Sequence, residues 1–256
     1  MRDEFMVDMK TYTAALLIIG NEILSGRTTD ANLPYIAGRL NDLGIRLSEV
    51  RVVPDIEAEI VDAVNALRAR YSYVFTTGGI GPTHDDITSE CIAVAFDVPL
   101  VMDETAVATL EGQYTPDKLT DARMKMAMVP EGSTLIENPV SGAPGFQIGN
   151  VFVLAGIPVV MHAMLEKLQD RLEGARPVRS ETITAFVGES FIADILTRAQ
   201  ADHDGVSIGS YPFYRPRVAG SCIVVRSADD AALKAALDRV RADFTVAEVE
   251  FVDGEA

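Results

Sequence analysis

Cysteine and basic residues are scarce in this sequence. Its two cysteines, Cys91 and Cys222, lie far apart in apolar surroundings and form no CxxC motif. This pattern favours buried thiols in a reducing compartment over a disulfide or a zinc site. The 22 basic residues stand against 38 acidic ones, and the net charge of −16 argues against a general nucleic-acid surface.

Long hydrophobic runs are also missing. The apolar stretches have the length of strands rather than of a membrane span, and residues 1–13 lack the apolar region of a signal peptide. Apolar residues nevertheless make up 48% of the chain, and 256 residues suffice for one large domain or two ordinary ones with a real core. We therefore predict a cytoplasmic, soluble protein with no membrane partner.

Strand-like and helix-like segments alternate through the first two thirds of the chain. Residues 13–19 form a continuous apolar run that predicts a strand buried on both faces, and 45–53 and 72–76 are strand-like as well. Asp30 and Asp55 are placed to cap the helices that follow the first two strands. The alternation predicts a parallel sheet covered by helices on both faces, with ligands at the carboxyl ends of the strands.

The middle of the chain combines a helical segment with dense turn formers. Residues 102–130 predict mostly helix. The pair Gly149-Asn150 predicts a β-hairpin between 145–148 and 151–154, and a further helix is expected up to about Leu172.

The pattern changes near 174–180. The expected elements there are strand 182–187, helix 190–201, strands 206–211 and 217–226, helix 229–243 and strand 245–252. This order, βαββαβ, is the ferredoxin-like split motif. We predict two domains: an α/β three-layer sandwich with a mainly parallel sheet over 1–174, and a small α+β ferredoxin-like domain over 178–256.

The most informative motif is TTGGIGPTHDDIT at 76–88, where a strand runs into three glycines and two acids precede a helical pattern. Glycines at such a corner let the backbone approach a phosphate, which the first N–H groups of the helix would bind. The carboxylates of Asp85 and Asp86 would repel a phosphate, which suggests that a divalent cation lies between them and the phosphate. Alternatively, one of the two aspartates only caps the helix. The loop lacks the lysine of a P-loop and the spacing of a dinucleotide fingerprint.

Two further clusters follow predicted strands. Gly20-Asn21-Glu22 and Ser25 come after the first strand, where amide and hydroxyl groups could bind a ligand and Glu22 a metal. These polar groups could equally satisfy the backbone of their own loop. Ordinary hairpin and connection geometry is enough to explain residues 141–145 and 156–158, and only their meeting with the other clusters at one crevice would favour a functional role.

The motifs GNEILSGRTTDAN at 20–32 and TTGGIGPTHDDIT at 76–88 resemble the CinA-type branch of the molybdopterin-binding-like (MoaB/Mog) superfamily. Within that branch they are similar to the N-terminal domain of two-domain FAD synthases. Gly209-Ser210-Tyr211-Pro212 resembles a segment of the accessory domain behind that fold, so the resemblance covers essentially the whole chain. It implies a pterin or nucleotide ligand with a phosphate at the glycine loop, and we expect a homo-oligomer, either a dimer or a trimer.

The loop chemistry and the resemblance together give a set of candidate site residues. Asp86 and Asp55 would be the catalytic acids, and Asp86, Asp85 and Glu22 would hold a divalent cation (Mg²⁺, Mn²⁺ or Co²⁺), with K⁺ as a further ion. The ligand and its phosphate would contact Gly20, Asn21, Ser25, Gly78, Gly79, Gly81, Pro82, Thr83, Thr88, Ala143, Pro144, Gly145, Gly156 and Pro158.

The chain departs from the family pattern at several positions. CinA proteins more usually carry Asp at the position of Asn21, G-T at the position of Ser141-Gly142, and Glu at the position of Val160. If that glutamate assists catalysis, it is missing here. The sequence ends at Ala256, without the adenylyltransferase domain that makes FAD in FAD synthases, so we expect no FAD synthesis.

The leading hypothesis is a metal-dependent pyrophosphatase that cleaves a nucleotide diphosphate such as ADP-ribose or FAD. The alternative is a protein that binds molybdopterin or a flavin nucleotide without turnover, which the departures at Gly142 and Val160 favour. Molybdopterin adenylylation, as in the Mog-type members, fits the CinA-type pattern less well.

Overall fold

The computed structural model describes residues 11–215 and 218–255, which form two compact units divided between Ala175 and Arg176. Residues 1–10, most of the stretch searched for a signal peptide, and residue 217 of a predicted strand lie outside the described residues. None of the described helices is long and apolar enough to cross a membrane.

The first unit alternates strands and helices. Its elements are β1 (Tyr12–Ile19), α1 (Asn21–Leu24), α2 (Asn32–Asp42), β2 (Ile45–Val53), α3 (Glu57–Arg68), β3 (Tyr73–Thr77), α4 (Thr88–Phe96), β4 (Leu100–Met102), α5 (Glu104–Gln113), α6 (Asp121–Met124), β5 (Met128–Pro130), β6 (Thr134–Ile136), β7 (Gly145–Ile148), β8 (Val151–Leu154) and α7 (Pro158–Glu166). Short 3-10 turns lie at Pro116–Lys118, Lys125–Ala127 and Gln169–Arg171.

The first unit is built on a six-stranded sheet in the order β2-β1-β3-β8-β7-β6. The first four strands are parallel, and β7 and β6 extend the sheet with antiparallel pairing. Successive residues of β1 face opposite cores: Leu17 packs with α3 and α4, whereas Leu16 packs with α2 and α7. The predicted three-layer sandwich with a mainly parallel sheet is therefore confirmed, as is the hairpin around Gly149-Asn150.

Two predictions in the middle of the chain were wrong at their ends. The segment 102–130 ends in strand β5, which pairs antiparallel with β4, so that Val101 faces Val129. Strands β4 and β5 pair over only three residues each and are separated by more than 20 residues of chain. Strands this short have no sequence periodicity from which they could be predicted. Helix α7 ends at Glu166, and a short 3-10 turn follows it instead of a continuous helix to Leu172.

The second unit consists of β9 (Arg179–Ala185), α8 (Glu189–Ala201), β10 (Val206–Arg215), β11 (Val218–Ser227), α9 (Asp230–Val246) and β12 (Phe251–Asp253). Its sheet has the order β10-β11-β9-β12, and every pair in it is antiparallel. Both helices contribute to a single core with Ile183 and Ile223 of the sheet. The predicted ferredoxin-like βαββαβ motif is confirmed.

The last predicted strand, 245–252, was largely wrong. Helix α9 continues to Val246 because Phe244 is fully buried in the core of the unit. Glu248 then turns the chain with a φ of 54°, and only Phe251–Asp253 pairs with β9. The predicted environment of the two thiols also holds only in part, because Cys91 is buried but Cys222 is partly exposed.

Candidate functional site

The candidate site lies where three neighbouring parallel strands end. In the sheet, Ile18 of β1 faces Thr77 of β3, and Thr77 faces Leu154 of β8, so the loops after these strands start at one edge. Gly78 has a φ of 101°, and a Cβ there would lie 2.2 Å from the carbonyl oxygen of Ile19. Only glycine fits such a close approach of two strand ends.

The turn after β3 is held by Thr88, the first residue of α4. Its hydroxyl donates to the carbonyl oxygen of Gly78 at 3.0 Å, and its N–H donates to that of Gly79 at 2.9 Å. Thr88 is fully buried, and both of these hydrogen bonds position the glycine turn. The expectation that Asp85 or Asp86 caps α4 was wrong, because the residue before the helix is Ile87 and no side chain caps it.

Asp86 instead folds back into the glycine loop. Its Oδ2 accepts a hydrogen bond from the N–H of Thr83 at 2.8 Å and a further, short one from the Thr83 hydroxyl. The same oxygen would lie 2.6 Å from a Cβ at Gly81. The absence of a side chain at Gly81 thus leaves the space that the Asp86 carboxylate occupies.

These loops surround a cavity of about 650 Å³. This volume lies within the range of ligand-binding pockets, about 300–1,000 Å³. Its wall includes the following predicted residues: Glu22, Gly78, Gly79, Gly81, Pro82, Asp86, Ala143, Gly156 and Pro158. The structure therefore brings members of all three sequence clusters together around one cavity.

The other predicted residues do not line this cavity. They are Gly20, Asn21, Ser25, Asp55, Thr83, Asp85, Thr88, Pro144 and Gly145. Asp55 accepts a hydrogen bond from the N–H of Asn21 at 2.9 Å, so it joins the ends of β2 and β1 and does not cap α3 as expected. Gly145 is buried in β7, where a Cβ would lie 2.2 Å from the carbonyl oxygen of Val153.

Sequence reasoning missed the part of the wall that is formed by Tyr114, Arg123, Met126 and Asn138. The wall also includes Thr28, Ile80, Ser141, Ala155, Ile157 and Val160, which lie in or next to stretches that the sequence analysis had singled out. Tyr114 and Arg123 interact directly, because the guanidinium carbon lies 4.4 Å from the centre of the tyrosine ring. They belong to residues 102–130, which were predicted to be mostly helix and which contain no cluster of glycines at a strand end.

Asn138 organises the loop between β6 and β7. Its Nδ2 donates to the Ser141 hydroxyl and to the carbonyl oxygen of Ala143, both at 2.7 Å. Its Oδ1 accepts from the N–H groups of Val140 and Ser141. Asn138 is 5% exposed, so one buried amide fixes the shape of the loop that closes the cavity.

Lys125 connects the missed wall to the glycine loop. Its Nζ donates to the carbonyl oxygen of Asp86 at 2.6 Å and forms an ion pair with Glu90 at 3.2 Å. The nearby Asp85 is an exposed carboxylate, and hydrogen bonding by the Thr83 side chain and its own backbone lowers its pKa below the usual range. The loop beside the cavity is therefore negatively charged at neutral pH.

A smaller cavity of about 70 Å³ lies beside the main one. Asn32 and Thr77 line it, and each is nearly fully buried with a side-chain oxygen that has no hydrogen-bond partner among the described residues. The amide of Asn32 meanwhile donates to the carbonyl oxygen of Gly156 at 2.8 Å. Asn32 therefore positions the loop after β8 against the glycine turn.

The arrangement of acids bears on the predicted cation. Among the described residues, no three His, Cys, Asp or Glu side chains are gathered closely enough to hold a metal ion alone. Glu22 and Asp86 nevertheless both line the main cavity. Mg²⁺ is usually bound by one or two carboxylates together with water and the phosphate oxygens of a substrate, so these residues fit a cation that binds with its ligand.

Two protein families match this chain. Residues 15–174 match the family described as "Probable molybdopterin binding domain", and residues 177–253 match the family "FAD synthase, middle domain". The chain therefore belongs to the molybdopterin-binding domain family, with the middle domain of FAD synthase behind it. The resemblance inferred from the glycine loop and from the Gly209–Pro212 segment, which lies within β10, is confirmed.

Similar proteins occur in several archaea. A protein of Archaeoglobus fulgidus is 36% identical over 77% of this chain and 84% of its own length. One from Pyrobaculum calidifontis is 31% identical over 93% of this chain and 99% of its own. Among solved structures, the protein CinA of unknown function from Thermoplasma acidophilum is 36% identical, with a TM-score of 0.60 over 63% of this chain and 98% of its own.

Proposed function

We propose that this protein is a metal-dependent pyrophosphatase that cleaves a nucleotide diphosphate such as ADP-ribose or FAD. The observation that carries the proposal is that the carboxylates of Glu22 and Asp86 line the same cavity as the glycine turn Gly78-Gly79. A binding site for one phosphate and a pair of acids beside it suit a substrate in which two phosphates are joined.

The chain's own groups have distinct tasks in this reaction. The glycine turn brings the backbone to the phosphate, and N–H groups of the loop stabilise the charge that develops on its oxygens. The Asp86 carboxylate, fixed by its hydrogen bond from Thr83, orients a water for attack on phosphorus. Glu22 and Asp86 would hold the divalent cation, which when bound neutralises phosphate charge.

The chemistry is a hydrolysis. The oxygen of water forms a bond to one phosphorus, the bridging P–O bond breaks, and the protons of the water end on the products. ADP-ribose would give AMP and ribose 5-phosphate, and FAD would give AMP and FMN.

The test is incubation of the pure protein with ADP-ribose and with FAD, in the presence of K⁺ and Mg²⁺, Mn²⁺ or Co²⁺, followed by chromatography. We expect AMP with the wild-type protein and a loss of at least about 100-fold in Asp86→Asn, which keeps the size of the side chain. Asp42→Asn is the matched control, because Asp42 is an exposed acid on α2. AMP formation that is equal in Asp86→Asn and Asp42→Asn overturns the proposal.

A second candidate function is binding of molybdopterin or a flavin nucleotide without turnover. Val160 favours it, since this side chain is 5% exposed and lines the cavity, and it can neither transfer a proton nor hold a cation. Here we expect a ligand that copurifies, a thermal shift with pterins or flavin nucleotides, and no AMP over hours. Hydrolysis that appears in Val160→Glu but not in the wild type would support this candidate over the first.

A further inference from the structure

Arg123 is a fixed positive charge on the wall of the cavity. Its guanidinium lies over the ring of Tyr114, 4.4 Å from the centre, and donates a hydrogen bond to the carbonyl oxygen of Lys118. The Tyr114 hydroxyl in turn donates to the carbonyl oxygen of Ser141 at 3.2 Å. Through Tyr114, Arg123 is thus connected to the loop that contains Ser141. Its side chain has little rotamer freedom left to lose when a ligand binds.

The segment that carries Arg123 is itself attached to the glycine loop. The Thr120 side chain caps α6 by accepting a hydrogen bond from the N–H of Arg123. Lys125, two residues after Arg123, donates a hydrogen bond to the carbonyl oxygen of Asp86. These contacts hold the guanidinium at a defined place relative to the loop that would bind a phosphate. Both Arg123 and the glycine turn line the same cavity.

Arg123 differs in charge from the other ionisable residues of the wall. Two carboxylates, Glu22 and Asp86, line the cavity, and Arg123 is the only lysine or arginine in its wall among the described residues. Arg123 forms no ion pair with a carboxylate of the described part of the chain, so its charge remains available to a ligand. A planar guanidinium fits the oxygens of a phosphoryl group in a two-pronged hydrogen bond.

We infer that Arg123 binds the second phosphoryl group of a diphosphate while the glycine turn holds the first. The site would therefore select diphosphates over monophosphates, and Arg123 is its specificity-determining residue. This inference rests on the proposed nucleotide diphosphate as ligand, but it concerns binding and does not require turnover.

The test compares two ligands that differ by one phosphoryl group. ADP and AMP are titrated into the wild-type protein and into Arg123→Met by calorimetry, with Mg²⁺ present. We expect Arg123→Met to weaken ADP binding about 10- to 100-fold, as for the loss of a charged hydrogen-bonded contact, and AMP binding less than about 2-fold. Inorganic pyrophosphate and phosphate repeat the comparison without a nucleoside.

Three variants separate this role from a structural one. Arg171→Met is the matched control, because Arg171 also donates to a backbone carbonyl, that of Leu135 at 3.0 Å, but lies outside the cavity wall. Arg123→Lys keeps the charge but not the planar fork, so we expect an intermediate loss of ADP affinity. Tyr114→Leu removes the ring beneath the guanidinium and should produce a smaller loss of the same kind, again for ADP more than for AMP.

The outcomes are distinct from those of the hydrolysis assay. Selective loss of ADP binding in Arg123→Met supports the inference even if the wild type releases no AMP. Equal losses for ADP and AMP, an equal effect of Arg171→Met, or no ADP binding by the wild type would each overturn it. Circular dichroism of every variant confirms that the fold is retained.

Discussion

The two units of this chain both pack helices against a sheet, but their strands run differently. In the first unit, β2, β1, β3 and β8 are parallel neighbours, whereas every pair of strands in the second unit is antiparallel. Neighbouring parallel strands end at the same edge of a sheet, so the loops that follow them meet. In an antiparallel sheet these loops alternate between the two ends.

This difference decides where chemical groups can converge. The first unit gathers two acids, one arginine and a glycine turn around a single cavity. A groove of about 570 Å³ between α8 and β10 of the second unit is lined by one acid, Glu189, and otherwise by neutral side chains. Four pairs of matched substitutions test this comparison, and each pair has one substitution in the first unit and one in the second.

The largest effect is expected from Gly78→Ala against Gly205→Ala. Both glycines have a positive φ, but a Cβ at Gly78 would lie 2.2 Å from a backbone oxygen, whereas a Cβ at Gly205 would have no atom of the described residues within 4 Å. Gly205→Ala should cost about 1 kcal/mol for its left-handed conformation alone. Gly78→Ala should cost more than about 3 kcal/mol, because the strand ends must move apart.

Urea unfolding followed by circular dichroism measures both free energies of unfolding. A similar cost in the two variants would show that the ends of β1 and β3 can separate easily. The close approach that shapes the cavity would then not be a constraint on the fold.

The second pair compares two amide side chains that fix loops, Asn138→Ala and Gln200→Ala. Asn138 is buried and makes four hydrogen bonds, whereas Gln200 bonds to the carbonyl of Val206 and the N–H of Ile208 at the edge of its sheet. We expect a loss of about 3 kcal/mol for Asn138→Ala and about 1 kcal/mol for Gln200→Ala, since unsatisfied buried groups cost most. Ligand affinity should fall in Asn138→Ala alone, and an equal fall in both variants would contradict the placement of the site.

The contrast between Asn138 and the glycine loop shows how much the sequence can predict. Glycines at Gly78, Gly79 and Gly81 follow a strand and impose a local conformation, so a short window of sequence reveals them. Asn138 stands in a run of turn formers, and its role depends on four partners that only the folded loop assembles. Arg123 likewise lines the cavity beside Tyr114, nine residues earlier, and a prediction of helix for this segment does not reveal that contact.

The acids of the loops illustrate the same limit. An aspartate before a helix predicts a cap, and Asp103 does cap α5 by accepting from the N–H of Ala106. Asp55 and Asp86 have the same local sequence signal, but each binds a backbone N–H elsewhere, at Asn21 and Thr83. The choice depends on which N–H group the neighbouring chain presents, and that is information about tertiary structure.

The third pair removes one buried hydroxyl from each unit, in Thr88→Val and Thr184→Val. Both threonines are fully buried, and each donates to a glycine carbonyl, Gly78 at 3.0 Å and Gly254 at 2.6 Å. Valine keeps the shape, so we expect a similar loss of about 1–2 kcal/mol in stability. Only Thr88→Val should also weaken nucleotide binding, which calorimetry with ADP measures. Unchanged ADP affinity in Thr88→Val would show that the glycine turn does not need this hydroxyl.

The fourth pair consists of the two thiols, Cys91 and Cys222. Their substitution is expected to have the smallest effect on stability of the four pairs, and the clearest difference between them is in chemical reactivity. Burial raises the pKa of Cys91 to about 12, with the negative charges of Glu57 and Glu90 acting in the same direction. At pH 8 only about one molecule in ten thousand then carries the Cys91 thiolate, which is the species that reacts with alkylating reagents. Cys222 lies in the second unit and is partly exposed.

Iodoacetamide at pH 8 should therefore modify Cys222 while Cys91 stays unmodified until the first unit unfolds, as peptide mass spectrometry can show. The raised pKa also has a consequence for stability. The unfolded chain releases the proton of Cys91 near pH 8.5 and the folded chain does not. The free energy of unfolding therefore decreases as the pH rises above that value. Cys91→Ala should remove this part of the pH dependence, whereas Cys222→Ala should retain it. Rapid labelling of Cys91 in the folded protein would mean that α4, whose first residue Thr88 is hydrogen-bonded to the glycine turn, opens more readily than the burial of Cys91 implies.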